Sequence, residues 1–270
     1  MNSNEVLFND VECKQIRSWL LIKSGIYLDE KRNSLVSHRL HKRMSELKLI
    51  SFEEYAQRVT NDCEEQQIAL NLLTTNETYF FREPKHFEFI ANHLVPEFAE
   101  LTSVNVWSAA SSSGEEVYSI AMLFGELLPE SNWHILGTDI NTEMLRLAKW
   151  ASYELTPKNN ISDRYLKQYC LKGVGDSEGL FKIKDELKQR VSFKHHNLLN
   201  KPIHNKEKFD LILLRNVLIY FQLSDRKKVV KNVIEQMRSG GWLIVGHSEN
   251  IHGFDERLVH IQAGCYQFRP

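Results

Sequence analysis

Apolar residues in the first third of the chain recur at three- and four-residue steps, the spacing that gathers them on one side of an α-helix. From Asn9 to Lys23 they are Val11, Ile16, Trp19, Leu20 and Ile22, followed by Gly25, a residue that accepts the left-handed conformation of a helix C-terminal cap. A second helix is predicted from about Asp29 to Leu49, with Val36, Leu40, Met44 and Leu47 as its buried stripe. Ser51 and Glu54 have the spacing of a capping box for a third helix, and Asp62 caps a fourth that reaches Leu73. Pro84 suits the first turn of the next helix, which carries Phe87, Ile90 and Leu94.

From Val104 the texture changes to strands alternating with helices, the order that predicts an α/β fold with a parallel sheet covered on both faces. "VNVWSAA", "WHILGTD", "FDLILL" and "GGWLIVG" read as strands, and "EEVYSIAMLFGELL", "NTEMLRLAKWA" and "SDRKKVVKNVIEQM" as the helices between them. The terminal "LVHIQAGCYQF" has no helix between its apolar halves and predicts a hairpin, hence an antiparallel strand near the end of the sheet. Between Tyr153 and Val191 the rhythm breaks. A short helix around Leu166, the glycine-marked "KGVGDSEG" and the alternating "LFKIK" are too much material for a connection and predict a small inserted subdomain.

Composition removes several functional classes. A formal net charge of -1 and a sequence pI near 6.8 give no global field toward nucleic acid or an anionic membrane, so recognition by charge must be local. Cys13, Cys63, Cys170 and Cys265 are far apart and lack zinc-ligand spacing, which fits a reducing, cytoplasmic setting. "MNSNEVLFNDVECKQ" lacks the apolar core of a signal peptide, and no run approaches the ~20 apolar residues of a membrane span. His195 and His196 are adjacent in a predicted strand and point to opposite faces, and no metal is expected.

In an open α/β sheet, ligands bind beyond the carboxyl ends of the strands. The first strand ends in "SAASSSGEE", Ser108 to Glu116, small residues with the single glycine Gly114. The G-x-G-x-x-G fingerprint of a dinucleotide site is absent, and Glu115 and Glu116 at the helix start would repel a phosphate; they favour a ligand with cationic or hydroxyl groups. Asp139, at the end of the second strand, reads both as a ribose acceptor and as the N-cap of the following helix, two roles that are compatible. Asn197 and Leu198 follow "VSF", while Leu214, Arg215, Asn216 and Tyr220 follow "FDLIL". Hydroxyl acceptors, an amide and apolar walls on four loops suit an adenosine.

These segments, "TNETYFFREPKHF", "VWSAASSSGEEVYSIAM", "GTDINTEML", "FKHHNLL", "FDLILLRNVLIYF" and "GGWLIVGHSENI", together resemble the chemotaxis receptor methyltransferases. Members of that family transfer a methyl group from S-adenosylmethionine to glutamate side chains of chemoreceptors, leaving S-adenosylhomocysteine. The resemblance spans nearly the whole chain and implies three parts: a helical receptor-docking domain over residues 1–75, a cofactor-contacting linker over 76–95, and a Rossmann-like methyltransferase domain over 96–270 with a β insert at about 154–190. It implies cofactor contacts from Asn76, Thr78, Arg82, Glu116, Asp139, Asn197, Leu198, Leu214 and Arg215. Arg82 would lie near the transferred methyl and Tyr220 would face the reacting centre, with Tyr79, Phe80 and Phe81 either walling the site or packing as plain core. Between the two adjacent acids, the resemblance favours Glu116 over Glu115.

The implied substrate is an acid-rich receptor helical bundle, which a globally neutral enzyme must meet with a local basic face. Arg32, Arg39 and Arg43 fall at steps of seven and four on the second helix and form such a stripe, with Lys42 further round. A basic helix face also occurs as an ordinary solvated surface. The insert is similar to the β-subdomain that, in some family members, captures a receptor C-terminal peptide by strand addition. A monomer is expected. Three other readings stand beside this one: an S-adenosylmethionine-dependent enzyme for another protein or a small molecule; a nicotinamide dehydrogenase, disfavoured by the first loop; and a silent adaptor that binds receptors or senses the cofactor.

Overall fold

A computed structural model describes residues 10–200, 203 and 207–270, with the side chains of residues 10–12 left out. The predicted helix start at Asn9 and the side chain of Val11 therefore lie outside the described residues. The chain forms two compact units, one of Met1–Thr75 with Tyr220–Asp225, the other of Asn76–Ile219 with Arg226–Pro270.

The first unit is helical: α1 (Asp10–Ser24), a 3-10 turn at Glu30–Arg32, α2 (Asn33–Glu46), α3 (Phe52–Asn61) and α4 (Cys63–Leu73). On α1 the buried apolar positions among the described side chains are Cys13, Ile16 and Leu20, whereas Ile22 is 81% exposed. Two residues beyond Leu20 is about 200° around the helix, so Ile22 faces away from the side that the rest of the pattern buries. α2 starts later and stops sooner than predicted; Val36, Leu40 and Met44 are buried and Leu47 lies beyond its end. The caps sit where the sequence puts them. Ser51 accepts from the Glu54 amide at 3.2 Å, and Asp62 from the amides of Glu64 and Glu65 at 3.0 and 3.2 Å.

A buried carboxylate joins three of these helices. Glu65 on α4 is 1% exposed; it accepts from Arg43 Nη2 of α2 at 2.6 Å, from Arg43 Nε at 3.0 Å and from the Tyr55 hydroxyl of α3 at 2.9 Å. Burial alone would raise the Glu65 pKa, but the hydrogen bonds from Arg43 and Tyr55 outweigh it and hold the group below its ordinary range. Arg39 is tied as well, donating to the carbonyls of Leu73 and Thr74 at 2.6 and 2.9 Å and so closing the end of α4. The basic stripe is thus not three free charges. Arg43 is neutralised by Glu65, Arg39 keeps its charge because its partners are carbonyls and a hydroxyl, and Arg32 stands exposed.

The second unit opens with α5 (Pro84–Phe89), which passes through a π turn at Ile90–Leu94 into α6 (Val95–Ala99). Pro84 occupies its first turn. Then follow β1 (Val104–Ala109), α7 (Glu115–Leu127), β2 (Trp133–Asp139), α8 (Thr142–Trp150), β3 (Ser152–Glu154), α9 (Asp163–Tyr169), β4 (Cys170–Lys172), β5 (Leu180–Ile183), α10 (Asp185–Lys188), β6 (Val191–His195), β7 (Phe209–Leu214), α11 (Leu223–Ile234), β8 (Met237–Val245), β9 (Leu258–Gln262) and β10 (Cys265–Phe268). Seven strands form one sheet in the order β6-β2-β1-β7-β8-β10-β9, parallel through β8, with β10 and β9 antiparallel. The α/β fold with its closing hairpin is therefore the one expected. β7 is buried at every position, including Asp210, which accepts from the Asn105 amide and pairs with Arg238.

The insert forms its own antiparallel sheet, β3-β5-β4, with β5 in the middle. It buries Tyr153, Phe181, Cys170 and Ile183, and Phe80 packs into the same cluster, edge-on to Tyr153 at 4.9 Å and against Phe181 at 5.5 Å. Phe81 stacks on Tyr165 of α9 at 5.4 Å. Both phenylalanines are core residues, while Tyr79 is half-buried beside Arg82 and Lys158. No helix among the described residues is long and apolar enough to cross a membrane.

Truncating Arg43 strands the Glu65 carboxylate, so Arg43→Ala should destabilise the helical unit by about 3 kcal/mol in denaturant unfolding. The stabilisation should be present above the ordinary carboxylate range and fade as pH falls through the lowered pKa of Glu65. A loss below about 1 kcal/mol would show that the pair is only a surface contact.

Candidate active site

Strand order reverses at β1: the chain moves outward through β2 to β6, then returns to place β7 on the other side. The carboxyl ends of these strands are where the connections part and leave a crevice. The loop after β1 is built for close approach. Ala110 and Ser112 have φ of 71° and 48°, and Gly114 has φ of 96°. A Cβ on Gly114 would stand 2.9 Å from Ala148 Cβ and 3.1 Å from the Tyr153 hydroxyl, so the turn into α7 requires glycine.

Asp139 lies beneath this loop, 8% exposed, and accepts from the amides of Ser112 and Asn141, both at 2.8 Å. Burial raises its pKa, opposed by these backbone donors. It is not the helix cap; Asn141 caps α8 by accepting from the Met144 amide at 3.0 Å. Asn76 joins the same cluster through its carbonyl, which accepts from Ser112 Oγ at 3.1 Å. Beside it, the His196 amide donates to the Asp139 carbonyl at 3.0 Å, so Asn197 and Leu198 emerge at the same edge. Leu198 and Leu214 are buried; Thr78 is half-buried.

Arg215, just past β7, holds the other side. Its side chain is 2% exposed and each of its three nitrogens has an acceptor: Nη1 donates to Glu116 Oε2 at 2.6 Å, Nε to His86 Nδ1 at 3.0 Å, and Nη2 to the Arg82 carbonyl and to Glu83 Oε2 at 3.2 Å. Glu116 also accepts from Ser108 Oγ at 2.7 Å. Glu115 instead pairs with Ser113 of its own loop, and burial raises its pKa. Of the two acids, Glu116 is the one joined to Arg215. Arg82 itself is half-buried, with Nη1 donating to the Glu77 carbonyl at 2.7 Å. Tyr220 belongs with the helical unit, where its carbonyl accepts from the Tyr27 amide at 2.8 Å.

Sequence reasoning missed Glu83, His86 and Glu249. Glu83 has φ of 58°, and it accepts from Asn216 Nδ2 at 3.0 Å and the His247 amide at 3.3 Å as well as from Arg215. Burial works to raise its pKa, but the donors of Asn216 and Arg215 outweigh it and hold the group far below the ordinary range. His86 is buried, and burial together with Arg215 lowers its pKa, only partly opposed by Glu83. An arginine Nε can only donate, so His86 Nδ1 is an acceptor and the ring proton sits on Nε2. Glu83, His86 and His247 bring ligand atoms within 4.8 Å of one another. A cation there would face the Arg215 guanidinium, which contacts two of the three, so the arrangement favours an ion pair over a metal centre.

Because the folded-state pKa of His86 is depressed, its contribution to stability is complete above the ordinary histidine value near 6.5 and is lost as pH falls toward the lowered value. Thermal melts should therefore weaken on acidification below about pH 6.5. His86→Asn, which keeps an acceptor at the Nδ1 position, should flatten that slope; an unchanged slope would mean that His86 is not the responsible group.

Residues 76–266 match the family model described as CheR methyltransferase, SAM binding domain, and residues 12–74 match the CheR methyltransferase all-alpha domain. The chain is 33% identical over 261 residues to the chemotaxis protein methyltransferase of Escherichia coli, covering 95% of this chain and 90% of that protein. It is 34% identical to the protein of the same description from Salmonella typhimurium, covering 92% and 86%, and 33% identical to that of Borreliella burgdorferi, covering 99% of each. With both of its parts matched in order, the chain belongs to the CheR methyltransferase family, enzymes that depend on S-adenosylmethionine.

Proposed function

We propose that this methyltransferase converts glutamate side chains of chemoreceptors to methyl esters. The observation that carries the reading is Arg82, a half-buried guanidinium on a segment whose backbone Arg215 fastens to the end of β7, with one hydrogen bond of its own among the described residues. Its remaining donors are free to meet a carboxylate. A glutamate has an ordinary pKa of about 4.3 and is ionised at neutral pH, so the acceptor is already a nucleophile and needs no general base. When bound, S-adenosylmethionine supplies an electrophilic methyl: the C–O bond forms as the C–S bond breaks, the electron pair stays on sulfur, and no proton moves. The protein's part is alignment, which in such reactions supplies much of the rate. Arg82 steers the carboxylate by charge-assisted hydrogen bonds, and Tyr220 donates to the acceptor or the cofactor.

The residues fit the cofactor. Backbone donors from Ser112, Asn141 and Ile140 hold the Asp139 carboxylate, and its remaining acceptor capacity suits a ribose hydroxyl. Asn197, Leu198 and Leu214 frame the adenosine, Asn76 and Thr78 close over it from the linker, and Glu116 with Arg215 forms the wall beneath. Receptor docking falls to Arg32 and Arg39, which keep their charges, with Arg43 acting chiefly through Glu65. In the insert, β3 and β4 are edge strands, and Leu171 and Val174 beside β4 are 56% and 79% exposed, a surface suited to adding a receptor C-terminal peptide as a further strand. The enzyme works as a cytoplasmic monomer.

The test is incubation with labelled S-adenosylmethionine and receptor signalling domains. Label should appear in base-labile esters, and Arg82→Ala should cut turnover by about tenfold to a hundredfold with the fold retained. Arg32→Glu should raise KM for receptor without changing cofactor affinity. Label in another protein or a small molecule, or none despite cofactor binding, would replace this reading with a different methyltransferase or a silent adaptor.

A further inference from the structure

The segment from Gly246 to Ile251, which lends the His247 amide to Glu83, carries a buried acid. Glu249 is 7% exposed and its carboxylate is wrapped by backbone: Oε2 accepts from the amides of Gly246 and Asn216, and Oε1 from that of Leu218, each at 2.7 Å. A Cβ on Gly246 would stand 2.6 Å from Asn216 Nδ2 and 2.8 Å from Glu249 Oε2, so glycine is what lets the three groups meet. The loop after β7 is thus wound around an internal anion.

That winding fixes Asn216 at φ 56° and aims its amide at Glu83, 3.0 Å away. Glu83 is itself left-handed and takes Arg215 on its other oxygen. Two strained residues facing each other across one hydrogen bond persist only where the surroundings over-determine them. Here the surroundings are the Glu249 carboxylate on one side and the Arg215 guanidinium on the other.

We propose that Glu249 is a positioning residue for cofactor binding, which shapes the loop after β7 and, through Asn216 and Glu83, holds the Arg82 segment in its binding geometry. The proposal rests on the reading that this segment contacts the cofactor. Charge and symmetry of acceptors are both needed. A glutamine would turn an amide group toward backbone donors on one side and release either Leu218 or the Gly246 and Asn216 pair.

Two readouts on the full-length protein decide it: calorimetric binding of S-adenosylhomocysteine, and hydrogen exchange of peptides spanning residues 76–89. Glu249→Gln should weaken binding by about tenfold or more and speed exchange across 76–89. Asn216→Gly keeps the left-handed backbone and deletes the amide, and should do the same. Because both cut one chain of contacts, the double variant should bind no more than about threefold worse than Asn216→Gly alone.

Binding by Glu249→Gln within about twofold of wild type overturns the proposal. So does faster exchange confined to residues 215–218 and 246–249, or losses that multiply in the double variant. Should Glu249→Gln fail to fold, Asn216→Gly and Glu83→Gln decide by the same readouts. A wild-type protein that binds no S-adenosylhomocysteine would refute the cofactor reading itself and this inference with it.

Discussion

A guanidinium removed from water is costly unless acceptors, some of them charged, meet its nitrogens. Arg215 is that group. It meets the requirement by drawing together parts of the chain that are remote in sequence: Glu116 at the start of α7, and the Arg82 carbonyl, Glu83 and His86 around the start of α5. The result is not chiefly stability, since an apolar cluster of the same volume would serve that as well. What the ion pair adds is geometry. It fixes the segment carrying Arg82 against the carboxyl end of β7, leaving the Arg82 side chain available.

Around this pair the site divides its labour. The half near β2 has a buried carboxylate, Asp139, under a loop of small residues with left-handed turns. The half near β7 is a scaffold of charges that already satisfy one another. A methyl transfer to a carboxylate needs no proton shuttle, and this fits a site in which the perturbed acids and the buried histidine are engaged structurally. Catalysis by alignment asks for rigidity, and the clustered positive φ values at Phe81, Glu83, Ala110, Ser112 and Asn216 are consistent with that demand.

Much of this was legible in the sequence because it is encoded locally. Ser51, Asp62 and Pro84 mark helix starts through contacts within a turn, and the alternation of strand and helix fixes a parallel sheet. What could not be read depends on partners far away in the chain. Arg43 looks like a surface charge until Glu65 arrives from another helix, and Ile22 looks like core until the neighbouring residues choose the buried side. Asp139 carried two readings that only the Asn141 cap could separate. The donors of Arg215 go to Glu116, Glu83, His86 and the Arg82 carbonyl, partners that nothing in its local sequence announces. Glu83 and Glu249 stand inside quoted motifs, "FREP" and "GHSEN", but an acid in a loop gives no sign of which distant donors it will gather.

The most direct measurement is the titration of S-adenosylhomocysteine into wild-type protein and into Arg215→Lys, followed by calorimetry. Lysine keeps the charge but loses the planar fork that reaches four acceptors at once. If that fork organises the site, wild type binds one equivalent and Arg215→Lys binds about tenfold or more weakly at an unchanged net charge. Equal affinity in the two proteins would contradict the account.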